Sequence, residues 1–187
     1  MLFRSGINMS SVVLSGDTSG AITLSAPAVA GTNTITFPAS TGTVLTSGSP
    51  QSGGVIQVVS AVNSTSQSTT NTSFTNTSLA ASITPKFSTS KVLIIVNFAG
   101  YDSGGAGVNW FATIQRGTTN LGSATYGLGT IYNSAGGIQG AFGISYLDSP
   151  ATTSSTTYSF AYAKSGGTAY LNFNGETSTI TLLEIAA

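Results

Sequence analysis

Ionisable residues are scarce in this 187-residue chain, where five Lys plus Arg and five Asp plus Glu make up 5% of the sequence, against roughly 25% in an ordinary soluble domain. Histidine and cysteine are absent altogether. Without cysteine there is no disulfide framework and no thiol chemistry, and the redox compartment is left open. Without either residue, Ser-His-Asp and Cys-His nucleophilic arrangements and the usual zinc ligand sets are excluded. A formal net charge of zero, with no Lys/Arg cluster, removes the electrostatic footprint that binding to nucleic acid or anionic lipid requires. The longest strongly apolar run, 92–96, is strand-sized and far short of the roughly 18 residues of a membrane span. The first residues lack the apolar central region of a secretory leader, so export by that route is not expected, and residues 1–5 carry no weight. The stretch 100–107 is glycine-rich but lacks the Lys-Ser/Thr pair of a phosphate-binding loop. Five acids, Asp17, Asp102, Asp148, Glu176 and Glu184, leave a glycosidase-like carboxylate pair as the remaining route to catalysis. The expectation is a non-enzymatic protein with no cofactor and no metal.

What the chain does have is apolar and β-branched residues at regular spacing, with Ser, Thr, Asn and Gly doing the solvating. Hydrophobic residues make up 40% of the sequence, including nine Phe, seven Tyr and one Trp. That is enough for a folded core under a hydroxyl-rich, uncharged surface and argues against disorder. From 12 to 49, short clusters (Val12, Val13, Leu14; Ile22, Thr23, Leu24; Ile35, Thr36, Phe37; Val44, Leu45) alternate with turn residues. Three-residue clusters form no core of their own. Identical copies around a three-fold axis are the simplest support for such an arm. The Gly/Ser/Pro-rich stretch 47–54 discourages regular structure and marks the junction. Residues 1–50 are therefore expected to form an extended arm of short β segments, and 51–187 a compact domain.

In the compact part a strand at 55–62 is followed by a polar tract, 63–78, expected to be a surface excursion carrying an edge strand. Residues 91–98 are apolar on both faces, the pattern of a central strand covered on both sides. Beyond it the chain alternates with period two: Val108, Trp110, Ala112 and Ile114; Phe142, Ile144 and Tyr146; Tyr158, Phe160 and Tyr162; Ala169, Leu171 and Phe173; Ile180 and Leu182. No window of 11 residues combines helix formers with a 3.6 spacing. Glycine-rich turns every ten residues or so and about eight strands predict an antiparallel jelly-roll sandwich.

The segments 14–24 (LSGDTSGAITL) and 27–45 (PAVAGTNTITFPASTGTVL) resemble stretches found in tail-fibre and related virion proteins of tailed bacteriophages, over about a fifth of the chain. The ending 180–187 (ITLLEIAA) is similar to the last strand of phage fibre-tip domains, and in strand count and length the domain resembles the trimeric jelly rolls of the C1q and tumour-necrosis-factor type. The resemblance implies a homotrimeric virion structural protein, located in the tail, fibre or capsid exterior. Its arm would hold other virion proteins and its exposed loops a host surface glycan or protein. At 187 residues there is little room for a long shaft, which keeps two alternatives open: a capsid decoration protein that stabilises the shell, and a subunit of an extracellular filament.

Within this frame Tyr101, Asp102, Tyr126 and Tyr132 are the candidate receptor contacts, because amphipathic rings beside loops stack on sugars. The competing reading is that the rings close the ends of the sandwich. Asp102 alone is far short of a calcium cage. Trp110, in mid-strand, belongs to the core or to a trimer contact. Glu184 shares the register of Ile180 and Leu182, so it must emerge into solvent or find a cation, hydroxyls or backbone N–H groups; Arg116 is the candidate cation.

Overall fold

The computed structural model describes residues 11–15, 18–25, 27–29, 48 and 50–187, and its contacts separate two units, Met1–Val44 and Leu45–Ala187. In the first unit β1 (Ser11–Ser15) and β2 (Ala21–Ser25) pair as an antiparallel hairpin, with Val12 opposite Leu24 and Leu14 opposite Ile22. Leu14, Ile22 and Leu24 share one face and are 55%, 66% and 52% exposed. The clusters expected at 35–37 and 44–45, and Asp17, lie outside the described residues.

The second unit is all-β. Its strands are β3 (Val55–Asn63), β4 (Gln67–Thr69), β5 (Thr75–Ile83), β6 (Lys91–Asp102), β7 (Val108–Arg116), β8 (Thr119–Asn120), β9 (Gly129–Asn133), β10 (Ile138–Asp148), β11 (Thr156–Lys164), β12 (Ala169–Leu171) and β13 (Ser178–Ile185). Every strand pairing is antiparallel. In the first sheet β6 pairs along its length with β10 on one edge. Its other edge is shared between β13, opposite 91–97, and β12, opposite 100–102. Beyond these, β3 pairs with β13 and β4 with β12, so β3/β4 and β12/β13 are each one interrupted strand. The second sheet runs β5, β11, β7, then β8 and β9 sharing the far edge of β7. Along the chain the strands pass back and forth between the sheets, which order as β3-β13-β6-β10 and β5-β11-β7-β9: the two interleaved Greek keys of a jelly roll.

Asn172 makes the interruption possible. It sits at φ 54° between β12 and β13, a left-handed conformation that Asn adopts more readily than most residues. Its wholly buried side chain donates to the Asn63 carbonyl at 2.9 Å and accepts from the Ser178 hydroxyl at 2.6 Å, while its backbone N–H donates to Ala99 O at 3.0 Å. The break also corrects one expectation. Phe173 does not continue the inward face of Ala169 and Leu171, because the strand ends at Leu171; its ring is 43% exposed. The polar tract 63–78 carries β4 and the first residues of β5, and β5 buries Thr77, Leu79, Ala81 and Ile83 as one wall of the core.

The core lies between the sheets: Val92, Ile94, Val96 and Phe98 of β6 face Trp110, Ala112 and Ile114 of β7 and Tyr158, Phe160 and Tyr162 of β11. Phe98 is its aromatic hub, with ring centroids 4.4 Å from Phe160, 5.5 Å from Trp110 and 5.7 Å from Phe142. Gly100 makes room for the indole, since a Cβ there would lie 1.9 Å from a Trp110 ring carbon. Gly100→Ala must displace the largest side chain of the core, at a cost of about 3 kcal/mol. Gly105→Ala, where a Cβ meets nothing within 4 Å, should be silent. Urea midpoints of the two variants check this; equal midpoints would contradict it.

Candidate functional site

Alternation along each strand gives each sheet an outward face as well as a core face, and the two outward faces differ. On the second sheet the outward residues Phe111, Thr113, Ser159, Ala161 and Ala163 are nevertheless buried. The chain covers them itself. Tyr126 packs edge-on against Phe111 with centroids 5.8 Å apart, the Thr113 hydroxyl donates to Asn120, and the Phe74 ring reaches to 2.9 Å from where a Gly127 Cβ would stand.

On the first sheet the outward face has no such cover among the described residues of its own unit. Register aligns Val58, Leu183, Leu93 and Leu147 in one row across β3, β13, β6 and β10. The next row, Ser60, Thr181, Ile95 and Ser145, is mixed, and the third is Val62, Thr179, Asn97 and Gly143. Val55, Val58, Val62 and Leu147 are 53%, 57%, 66% and 50% exposed, and Leu93, Ile95 and Leu183 are half-buried. The expectation that 92–98 is covered on both faces holds for the inner face alone within one chain. At the other end of the same face Tyr101, Tyr170 and Phe173 form a cluster. Their centroids lie 5.7 Å apart for Tyr101–Tyr170, 4.7 Å for Tyr101–Phe173 and 4.8 Å for Tyr170–Phe173.

The four residues singled out from sequence therefore separate. Tyr101 belongs to this cluster, Tyr126 leans on the second sheet, and Tyr132 stands 58% exposed on the edge strand β9. Asp102 is not a surface residue: it is wholly buried and ion-paired with the equally buried Lys164, whose backbone lies in the opposite sheet. Its other oxygen accepts from the Gly104 N–H at 2.7 Å, and the neighbouring Asn133 amide donates to Gly104 O at 3.1 Å. Saturated in this way, Asp102 has no oxygen facing solvent for a receptor or a cation. Alternation alone hides Tyr170 and Phe173, because Tyr170 sits on the outward side of a strand marked by its apolar face and Phe173 continues that apolar face in sequence.

At the opposite end Arg116 does not meet Glu184. It holds both oxygens of Asp148, at 2.8 and 3.0 Å, and the Tyr158 hydroxyl donates to the same carboxylate at 2.7 Å. Burial, with that carboxylate beside it, pushes the Tyr158 phenol well above its ordinary value, and burial alone raises Tyr162 to about 12. Glu184, wholly buried, receives the Gln57 amide at 2.5 Å and the backbone N–H groups of Lys86 and Phe87 at 2.8 and 3.3 Å. Burial pushes its carboxyl up, but the hydrogen bonds it accepts, those from Gln57 and the two N–H groups among them, outweigh it and hold the pKa below the ordinary 4.5. Backbone N–H groups, not a cation, solve its desolvation.

Each carboxylate among the described residues thus has structural partners, Glu176 with Gln139 and Asn174 included. Among the described residues no three His, Cys, Asp or Glu gather where they could hold a metal ion. No protein-family model matches the chain, and no curated protein matches it.

A depressed folded-state pKa contributes stability that is present above the unfolded value and lost as pH falls through the folded one. Glu184→Gln should therefore be less stable than the parent at pH 7, with the difference shrinking steadily from pH 4.5 downwards. Denaturation midpoints from pH 7 to pH 3 test this. A difference that stays constant with pH would show that Glu184 contributes through packing alone.

Proposed function

We propose that this chain is a non-enzymatic structural protein of a tailed-bacteriophage virion, a homotrimeric fibre or fibre tip whose jelly roll contacts the host surface. The observation that carries the reading is the uncovered aliphatic row Val58, Leu183, Leu93 and Leu147 on a domain that covers its other sheet with its own side chains. Burying an exposed Val or Leu contributes about 1.5–3 kcal/mol, and contiguous apolar patches of this kind mark association surfaces. The arm supports the same reading. Its hairpin exposes Leu14, Ile22 and Leu24, and an isolated hairpin is marginal in water, so the arm too calls for a partner surface, which copies of the chain would supply. The engagement of every described carboxylate in structural contacts agrees with a protein that binds and does not catalyse. The phage assignment rests on the resemblance of 14–24 and 27–45.

Gold-labelled antibody against the chain should decorate the tail or fibre ends of virions in electron micrographs. Label confined to three-fold positions of the capsid would replace this reading with that of a shell-stabilising decoration protein. Virions that carry none of the chain would refute both.

A further inference from the structure

The aromatic cluster on the first sheet has a composition and a place that the association surface does not explain. Tyr101 lies eight residues along β6 from Leu93, about 27 Å at the usual rise per strand residue, so the rings stand at the far end of the face from the aliphatic row. All three rings are partly exposed, and they are bordered by polar groups held in fixed positions. Gln139, directly opposite Tyr101 in the β10–β6 register, donates to Glu176 Oε1 at 2.8 Å, and the Asn174 backbone N–H donates to Oε2 at 2.8 Å. These bonds, the Asn174 N–H foremost, hold the Glu176 carboxyl below its ordinary pKa, so it is an ionised acceptor at neutral pH. Gln139 and Asn174 add neutral donors and acceptors beside it.

We propose that Tyr101, Tyr170 and Phe173, edged by Gln139, Asn174 and Glu176, form a binding platform for a neutral glycan. The rings present flat apolar surface to the C–H face of a pyranose. The pre-oriented carboxylate and amides meet its hydroxyl groups, the few well-placed polar contacts that fix orientation in a mostly apolar site. Charge selects among sugars. The platform carries a carboxylate and no Lys or Arg, so an anionic sugar or a phosphate would face uncompensated repulsion, while a neutral hydroxyl donor is matched. This inference rests on the host-contact part of the function proposed above and places that contact at Tyr101, away from Tyr126 and Tyr132.

Saturation-transfer NMR on the full chain with maltotriose, lactose and tri-N-acetylchitotriose, and sialyllactose as the anionic control, tests the platform. Transfer to the ring C–H protons of at least one neutral sugar is expected, with sialyllactose weaker. The double variant Tyr101→Ser/Phe173→Ser should reduce the response at least tenfold. Glu176→Gln, an edge change that leaves the rings in place, should reduce it several-fold, and Tyr132→Ser should leave it unchanged. No transfer from any neutral sugar, or transfer indifferent to the ring and Glu176 variants, would overturn the proposal. So would a ring variant that changes the sedimented mass, because the rings would then lie between copies of the chain. Virions labelled at the tail by a chain that binds no sugar would lose this inference and keep the virion assignment.

Discussion

The buried contact between the Lys164 ammonium and the Asp102 carboxylate ties the two sheets together at the end where the turns 103–107, 134–137 and 165–168 converge. Its net contribution to stability is small, because desolvating two ions offsets most of their attraction, yet removing one partner alone would cost about 3–5 kcal/mol by leaving the other charge buried and unpaired. The contact therefore acts as a constraint on geometry. With Lys164 on β11 fixed against Asp102 on β6, Gly104 is held by Asp102 and Asn133 and the three turns are anchored from inside. At the opposite end Asp148, with Arg116 and Tyr158, and Glu184, with its backbone N–H groups, do the same. A chain with so few charges thus keeps most of its acids inside, and its outward faces are left to hydroxyls, amides, aliphatics and rings.

That distribution explains why the two outward faces can differ so much. Charged side chains on a sheet face discourage association, and on the first sheet the rows from Val58 to Leu147 and from Val62 to Gly143 contain none. On the second sheet Phe74, Asn120 and Tyr126 fill the corresponding position from within the chain. The same scarcity of charge leaves the first sheet one outward face with an aliphatic row at one end and an aromatic cluster at the other.

The all-β class, the sandwich and the central place of 91–98 were legible because period-two alternation reports directly on a sheet with one buried face. The same rule put Glu184 on an inward face and left Trp110 between the core and a trimer contact; its complete burial within one chain settles it as core. The rule failed where the backbone departs from regularity. Asn172 ends a strand through a left-handed residue, which hydrophobic alternation does not register, and so Phe173 was read inward. Burial of β5 behind Thr77, Leu79 and Ala81 was masked by the polar residues around it. The choice of Asp148 over Glu184 as the partner of Arg116 depends on which strands meet at one end of the sandwich, a tertiary fact with no local signal. Asp102 was misplaced for a related reason: a carboxylate beside a glycine loop reads as exposed until the buried lysine opposite it is known.

The proposed trimer requires that copies of the chain cover the aliphatic row of the first sheet. Sedimentation equilibrium of the full-length protein and of Leu93→Glu measures this directly. The parent should sediment at about three times the 18.7 kDa of one chain, and Leu93→Glu, which places a charge mid-row on an outward position, should sediment as a single chain with an unchanged β-type circular dichroism spectrum. A parent that sediments as one folded chain at micromolar concentration would contradict the account.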